Sequence, residues 1–306
     1  MNVLSLFDGM SCGRIALERA GVPVTNYYAS EIDKYAITVA KNNYPDTHHI
    51  GDVTQVSADD LPKIDLLIGG SPCQGFSFAG KQLNFDDPRS ALFFEFVRLL
   101  KETKPKYFLL ENVRMKKEYQ DVISEQLGVE PVKINSSLLS AQNRVRLYWT
   151  NIPNVTVPEN KGIVLADIID DGFVDREKSY CIDANYHRGG NLKRYFQRNS
   201  RQLVFSKDGL CHIGDATDIN GFDSVKRVYH PAGKSPTLTT CAGGNREPKI
   251  SYNETHYRKL TPTECERLQT VPDNYTDGVS NTQRYKMLGN GWTVDVIAHI
   301  FKGINS

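Results

Sequence analysis

Cys73 lies in Gly69-Gly70-Ser71-Pro72-Cys73-Gln74-Gly75-Phe76-Ser77, directly after an apolar run. A single cysteine is usually a small buried hydrophobe. Here glycines and serines surround it and continue to Gly80-Lys81-Gln82, a polar setting that suits a reactive thiolate. A second apolar run ends in Leu109-Leu110-Glu111-Asn112-Val113, where the carboxylate is either a capping group or a catalytic acid. Gln142-Asn143-Arg144-Val145-Arg146 places two arginines on one side of an extended segment, apt for a base carbonyl or a phosphate. Each arginine taken singly reads as a surface residue. Phe7-Asp8-Gly9-Met10-Ser11-Cys12-Gly13 follows the first apolar run. It is either a plain strand-to-helix turn or one that brings backbone against a ligand at a helix start. It lacks the Gly-x-Gly-x-x-Gly spacing of a pyrophosphate cradle. Glu31 is placed for ribose hydroxyls, and Asp52 in Gly51-Asp52-Val53 for an adenine amino group. Together these describe a nucleoside cofactor without a phosphate bridge, which fits S-adenosylmethionine better than NAD.

The elements needed to present these groups are legible in the first 150 residues. Short apolar strands are expected at 3–7, 26–30, just before 51, 64–68 and 107–110. Helical spacing is expected at 13–20, 33–43 and 90–103, the last with a wide apolar face. Strands separated by helices imply crossover connections and a mostly parallel sheet covered on both sides, an α/β fold. From about residue 155 helical periodicity fades. Short β-like pieces at 202–205, 225–229 and 237–240 then stand among Gly, Asn, Asp and Ser. Helices return at 261–269 and 293–302. Thr261 can cap the first of these, with Pro262 at its first position and Glu264 three residues on.

Composition narrows the classes further. The chain has 306 residues, with 37 Lys+Arg against 36 Asp+Glu and 40% hydrophobic residues. That is ordinary for a globular protein and excludes global disorder, collagen and coiled coil. No apolar run approaches the roughly 20 residues of a membrane span. The N-terminus has neither the charged lead nor the apolar core of a signal peptide. A cytosolic protein is expected, its first strand starting almost at once and no regulatory domain before it. Six scattered cysteines, with no Cys-x-x-Cys pair, give no zinc or disulfide framework, and no metal is expected.

Taken in order, Phe7-Asp8-Gly9, Pro72-Cys73-Gln74, Glu111-Asn112-Val113 and Gln142-Asn143-Arg144-Val145-Arg146 resemble the motifs of the DNA (cytosine-5) methyltransferase family. Leu260-Thr261-Pro262-Thr263-Glu264-Cys265 and Gly289-Asn290-Gly291-Trp292-Thr293-Val294 agree with it. The resemblance covers about residues 2–151 and 257–302. The stretches at 7–13, Glu31 and 68–73 are also similar to the catalytic domain of the mammalian de novo enzymes, whereas Gln74 follows the bacterial and phage pattern.

The resemblance implies an S-adenosylmethionine-dependent, Rossmann-like mixed sheet formed by 1–154 and 257–306. A smaller, irregular, β-rich target-recognition domain would occupy 155–256. It implies that Cys73 attacks carbon 6 of a cytosine flipped out of duplex DNA, and that carbon 5 then takes the methyl group. Glu111 would hydrogen-bond ring nitrogen 3 and the amino group, Arg144 would hold the base carbonyl, and Arg146 would support the cysteine loop. Asp8, Gly9 and Met10 would line the donor's methionine end, and Phe7, Cys12 and Ile32 would also belong to the cofactor site. Glu31 would meet the ribose, Asp52 and Val53 the adenine, and Asn290 and Trp292 would complete the pocket.

Residues 184–207 carry Arg188, Lys193, Arg194, Arg198, Arg201 and Lys207 with no acidic residue, and Tyr186, Tyr195 and Phe196 interleave them. Such a run is either a solvated basic face or a phosphate-contacting one. Beside the family motifs the second reading is preferred, with Arg194, Arg198 and Arg201 on DNA. Gln74, Ser77 and Lys81 would meet DNA from the cysteine loop. Residues 228–239 resemble the family's recognition signature, which puts Thr237 near the DNA, and Arg246 suits a guanine edge. Double-stranded DNA is the expected partner of a monomeric, cytoplasmic and nucleoid-associated bacterial or phage enzyme, with a cognate restriction endonuclease as a further partner in the same cell. A tRNA methyltransferase of similar fold is disfavoured by Gln74-Gly75-Phe76-Ser77. A non-catalytic homologue is disfavoured by the joint presence of Cys73, Glu111 and Arg144, and an NAD enzyme by the missing phosphate glycines.

Overall fold

The computed structural model describes residues 1–71, 88–198, 200–205, 212–215, 226–229, 249–250 and 257–306. The N-terminal part runs β1 (Asn2–Leu6), α1 (Cys12–Arg19), β2 (Asn26–Ser30), α2 (Lys34–Asn43), β3 (His48–His49), β4 (Leu66–Gly69), α3 (Pro88–Thr103) and β5 (Tyr107–Val113). It continues through α4 (Lys117–Leu127), β6 (Val132–Asn135) and β7 (Val145–Thr150). Among the described residues these strands form one sheet in the order β3-β2-β1-β4-β5-β7-β6. All neighbours are parallel except β7, which runs antiparallel to both β5 and β6. The expected mixed α/β sheet is what the chain forms, with element ends shifted by one to three residues.

Strand sequences explain why both faces are covered. Val3, Leu66, Ile68 and Leu109 enter one core, while Leu4, Leu67, Phe108 and Leu110 enter the other. Alternation with no polar face demands helices on each side, as parallel strands require. The second core is filled by Phe93, Phe96, Val97 and Leu99 of α3 and by Ile123 and Leu127 of α4. The first is filled by α1 and by three helices from the end of the chain: α6 (Pro262–Leu268), α7 (Asn281–Asn290) and α8 (Val294–Phe301). In α8 only Asp295 and His299 escape burial, so it lies wholly within the structure.

The cap expected for α6 is present in full. Thr261 Oγ1 accepts from the Glu264 N–H at 3.2 Å, and Glu264 accepts from the Thr261 N–H at 2.7 Å. Arg258 then clasps both Glu264 oxygens at 2.7 and 2.8 Å, so this buried carboxylate is fully paired.

The middle of the chain holds a separate small cluster of Tyr195, Leu203 and Phe205, with α5 (Leu192–Arg198) lying across it. β8 (Leu203–Phe205) pairs antiparallel with β12 (Tyr257–Lys259). β9 (His212–Asp215), β10 (Arg227–Tyr229) and β11 (Lys249–Ile250) form a three-stranded sheet. Leu165, Ile168, Ile182 and Tyr186 instead pack into the first core, beside Leu260 and Tyr285.

Candidate active site

The sheet order reverses between β1 and β4, so the connections after these strands diverge and leave a crevice at their carboxyl ends. Ligands of open α/β sheets bind at such a point. The turn after β1 is built for it. Phe7, Gly9 and Ser11 adopt left-handed backbone angles, with φ of 56°, 59° and 64°. Asp8 ties the turn from below, accepting from Ser5 Oγ and Ser11 Oγ at 2.6 Å and from the Tyr27 hydroxyl at 2.7 Å. Burial pushes the Asp8 carboxyl above its usual range, and the three hydroxyl bonds act against that shift. The Gly9 N–H donates to Glu31 at 2.8 Å, while the Ile32 and Asp33 N–H groups meet the other Glu31 oxygen, also at 2.8 Å. Glu31 therefore clamps the ends of β1 and β2 together. Ile32 beside it is 75% exposed, an apolar side chain standing free at the crevice mouth. Asp52 accepts from the Thr54 N–H at 3.0 Å, and Val53 is buried.

Met10 and Cys12 are buried beneath the turn, packed toward Gly291. Burial pushes the Cys12 thiol up to about 12 and the Cys265 thiol well above its ordinary value, so neither is a ready thiolate.

Glu111 emerges at the carboxyl end of β5 and is 9% exposed. Arg146 Nε meets its Oε1 at 2.9 Å, and the Trp292 indole N–H donates to Oε2 at 3.1 Å. Cross-strand pairing produces the first contact, because Arg146 sits opposite Val113 on antiparallel β7. Burial is the largest single influence and opposes the charge on Arg146, but the Glu111 carboxylate, Cys181 and Tyr148 together outweigh it, and the guanidinium titrates above its ordinary value. Next to Glu111, Asn112 Nδ2 donates to Ser71 Oγ at 3.2 Å and so holds the residue at the root of the cysteine stretch.

The geometry redistributes the roles expected of the two arginines. Arg144 is 4% exposed, and its hydrogen bonds go to groups other than Glu111. Its Nη1 donates to the Ile182 carbonyl at 3.1 Å and Cys181 Sγ at 3.2 Å; its Nη2 donates to the carbonyls of Gly289 and Gly291 at 3.2 and 2.9 Å. It braces the turn that carries Asn290 and Trp292. Gln269, which sequence reasoning missed, adds to this brace by donating to the Leu288 and Gly291 carbonyls at 2.7 and 3.1 Å. Only the neighbouring Thr261 cap pointed toward it. Asn290 itself is exposed.

The C-5 cytosine-specific DNA methylase profile matches residues 1–306, the whole chain. The chain belongs to that family. This DNA cytosine-5 methyltransferase is similar to a type II methyltransferase of Lactococcus lactis subsp. cremoris, at 31% identity over 307 residues covering 96% of this chain and 75% of that one. It is also 31% identical over 318 residues to a type II methyltransferase of Neisseria lactamica, covering 97% and 94% of the two chains. Among solved structures, a methyltransferase of Entamoeba histolytica shares the fold, with a TM-score of 0.69 at 17% identity, covering 100% of this chain and 99% of that one.

In the methylase's middle region, Arg194, Phe196 and Arg198 stand exposed on α5. Buried Tyr195 anchors that helix through its hydroxyl, which meets both Asp175 oxygens at 2.7 and 2.9 Å. Arg201 differs from them: it has φ of 60° and lies 3.7 Å from Asp183. Cys73, Gln74, Ser77, Lys81, Thr237 and Arg246 lie outside the described residues. Among the described residues no group of three or more His, Cys, Asp or Glu could hold a metal, and no helix is long and apolar enough to cross a membrane.

Proposed function

We propose that this methyltransferase flips its target cytosine out of duplex DNA and methylates it through a covalent bond from Cys73 to carbon 6. The Glu111–Arg146 pair at the crevice carries this reading. A carboxyl group held there, roofed by Trp292, is suited to hydrogen-bond ring nitrogen 3 and the amino group of a base. Arg146, rather than Arg144, is the guanidinium within reach of the base carbonyl, and it steadies Glu111 as charge develops. Cys73 adds to carbon 6, which makes carbon 5 nucleophilic. Methylation at carbon 5 and loss of its proton then expel the thiolate.

S-adenosylmethionine, when bound, supplies an electrophilic methyl group. The crevice fits such a nucleoside donor. The Gly9 N–H is already taken by Glu31, so the turn offers no phosphate cradle, and Phe7 to Gly13 include no cation. Glu31 is assigned to the ribose with exposed Ile32 beside it, Asp52 and Val53 to the adenine, and Phe7, Met10, Asn290 and Trp292 to the rest of the donor. Residues 1–154 and 257–306 serve as the catalytic unit and 155–256 as the recognition unit. Thr237, Arg246 and the basic face of α5 are assigned to DNA, together with Gln74, Ser77 and Lys81. The protein acts as a monomer on chromosomal or phage DNA in the cytoplasm, alone or beside a restriction endonuclease.

Bisulfite sequencing of DNA from cells expressing the protein identifies the target site. A duplex with 5-fluorocytosine at that site should then trap the enzyme after one methyl transfer, because fluorine cannot leave carbon 5 as a cation. The adduct should survive denaturing electrophoresis and vanish in Cys73→Ala. A stable adduct in Cys73→Ala, or one mapping to Cys12 or Cys265, would refute the assignment.

A further inference from the structure

Trp292 borders the donor crevice, yet its side chain reaches across the site. On one side it approaches Gly13 in the first turn of α1, where an added Cβ would meet the ring at 3.5 Å. On the other it covers Gly70 at the end of β4, where a Cβ would come within 2.8 Å of the indole nitrogen and 3.1 Å of Glu111 Oε2. Glycine at 70 is what lets the indole N–H reach the Glu111 carboxylate. One rigid aromatic plane thus touches both the turn that receives the donor and the carboxylate that receives the base.

Both Glu111 oxygens are occupied in the free protein, by Arg146 and by Trp292. A base that pairs through ring nitrogen and amino group needs one of them. Arg146 is fixed by the ladder between β5 and β7. Trp292 lies outside the sheet and holds Glu111 by its indole N–H alone, so its side chain, on a braced backbone, is the partner able to yield.

We propose that Trp292 is the positioning residue for Glu111 and couples donor occupancy to capture of the cytosine. The proposal rests on the reading of Glu111 as the base-holding group. In the free enzyme the indole holds the carboxylate in place by a charge-assisted hydrogen bond. A donor molecule packing against the ring shifts it, frees Oε2 and strengthens DNA binding; by linkage, DNA strengthens donor binding equally.

The sequence holds two tryptophans, and Trp149 is fully buried with its indole N–H on Ser124 Oγ at 3.0 Å. In proton–nitrogen correlation spectra Trp149 is therefore an internal reference. Glu111→Gln should move the Trp292 indole cross-peak and leave that of Trp149 in place, and S-adenosylhomocysteine added to the wild type should move the same peak. In the wild type, S-adenosylhomocysteine should tighten binding of the target duplex by roughly 5-fold or more. In Trp292→Phe, which keeps a ring but no N–H, that factor, read with S-adenosylhomocysteine at saturation for each protein, should fall toward one. A Trp292 peak unmoved in Glu111→Gln, no tightening in the wild type, or undiminished tightening in Trp292→Phe overturns the proposal. The Glu111→Gln arm leaves Trp292 intact, so the contact is tested even if Trp292→Phe does not fold. Full methylation activity in Glu111→Gln would instead strike the reading of Glu111 itself, and it is read in a separate assay.

Discussion

Arg144 and Arg146 are two positions apart and do different work. Arg146 lies inside β7, where the pleat and the antiparallel ladder aim it at Glu111. Arg144 precedes the strand, so no pleat fixes its direction, and its guanidinium turns into the buried turn at 289–291. The sequence therefore shows that two arginines belong to the site but not which one faces it. Both guanidinium groups reach Cys181 Sγ, at 3.2 and 3.9 Å, but their remaining partners differ. Arg144→Ala should cost about 3 kcal/mol of stability, since it strands several buried carbonyls. Chemical denaturation measures this. Arg146→Ala, which leaves the buried Glu111 carboxylate without its guanidinium, should also cost about 3 kcal/mol of stability. In addition it should slow methyl transfer roughly 100-fold, because it removes a donor from the reacting carboxylate. Equal effects of the two changes on methyl transfer would contradict the division of roles.

At the scale of elements, the apolar strands and strongly patterned helices are legible because each is specified by its own residues. Among the described residues those unforeseen are α4, β6, β7, α5, β9, β11, β12 and α7, and the β-like piece expected at 237–240 lies outside the described residues. α7 reads Asn-Thr-Gln-Arg-Tyr-Lys-Met-Leu-Gly-Asn and buries only Tyr285, Met287, Leu288 and Gly289, so its apolar face is too narrow to announce a helix. Tertiary contacts hold it instead. One of these is the ion pair between Lys286 and Asp33 at 2.7 Å, in which Asp33 also caps α2 through the Tyr35 N–H at 3.0 Å. Partial burial raises the Asp33 carboxyl, but the Lys286 bond and the cap together hold it below its usual value. A lowered carboxylate contributes stability above its unfolded-state value and loses it as pH falls through the folded-state value. Both partners are partly exposed, so the gain is under about 1 kcal/mol. Asp33→Asn keeps a capping oxygen and removes the charge. Its deficit against the wild type should be present at pH 7 and shrink as unfolding is measured below about pH 4. A deficit constant across that range would mean that the charge on Asp33 contributes nothing.

At the scale of the whole molecule, the formal net charge is only +1, so no global field draws this enzyme to DNA. Attraction must come from local placement, and α5 is its proposed source. Tyr195 and Leu192 fix the helix to the aromatic cluster, leaving Arg194, Phe196 and Arg198 exposed, the two arginines one turn apart. Arg201 belongs to the same basic run in sequence, but its guanidinium is near Asp183, so part of its charge is met within the protein. Composition showed a stretch free of acids; only the fold shows that an aspartate from outside the stretch approaches one of its arginines. Removing a side chain that neutralises one phosphate should reduce the slope of log affinity against log salt by about 0.9. Arg194→Ala and Arg198→Ala should each produce a change of that size, and the double variant roughly twice as much. Arg201→Ala should give a clearly smaller change, since Asp183 is freed as the arginine is removed. Titration of a labelled duplex across a salt series measures all four proteins against the wild type. Unchanged slopes for Arg194 and Arg198 would make α5 a solvated face, and DNA contact would then have to be sought elsewhere in the recognition region.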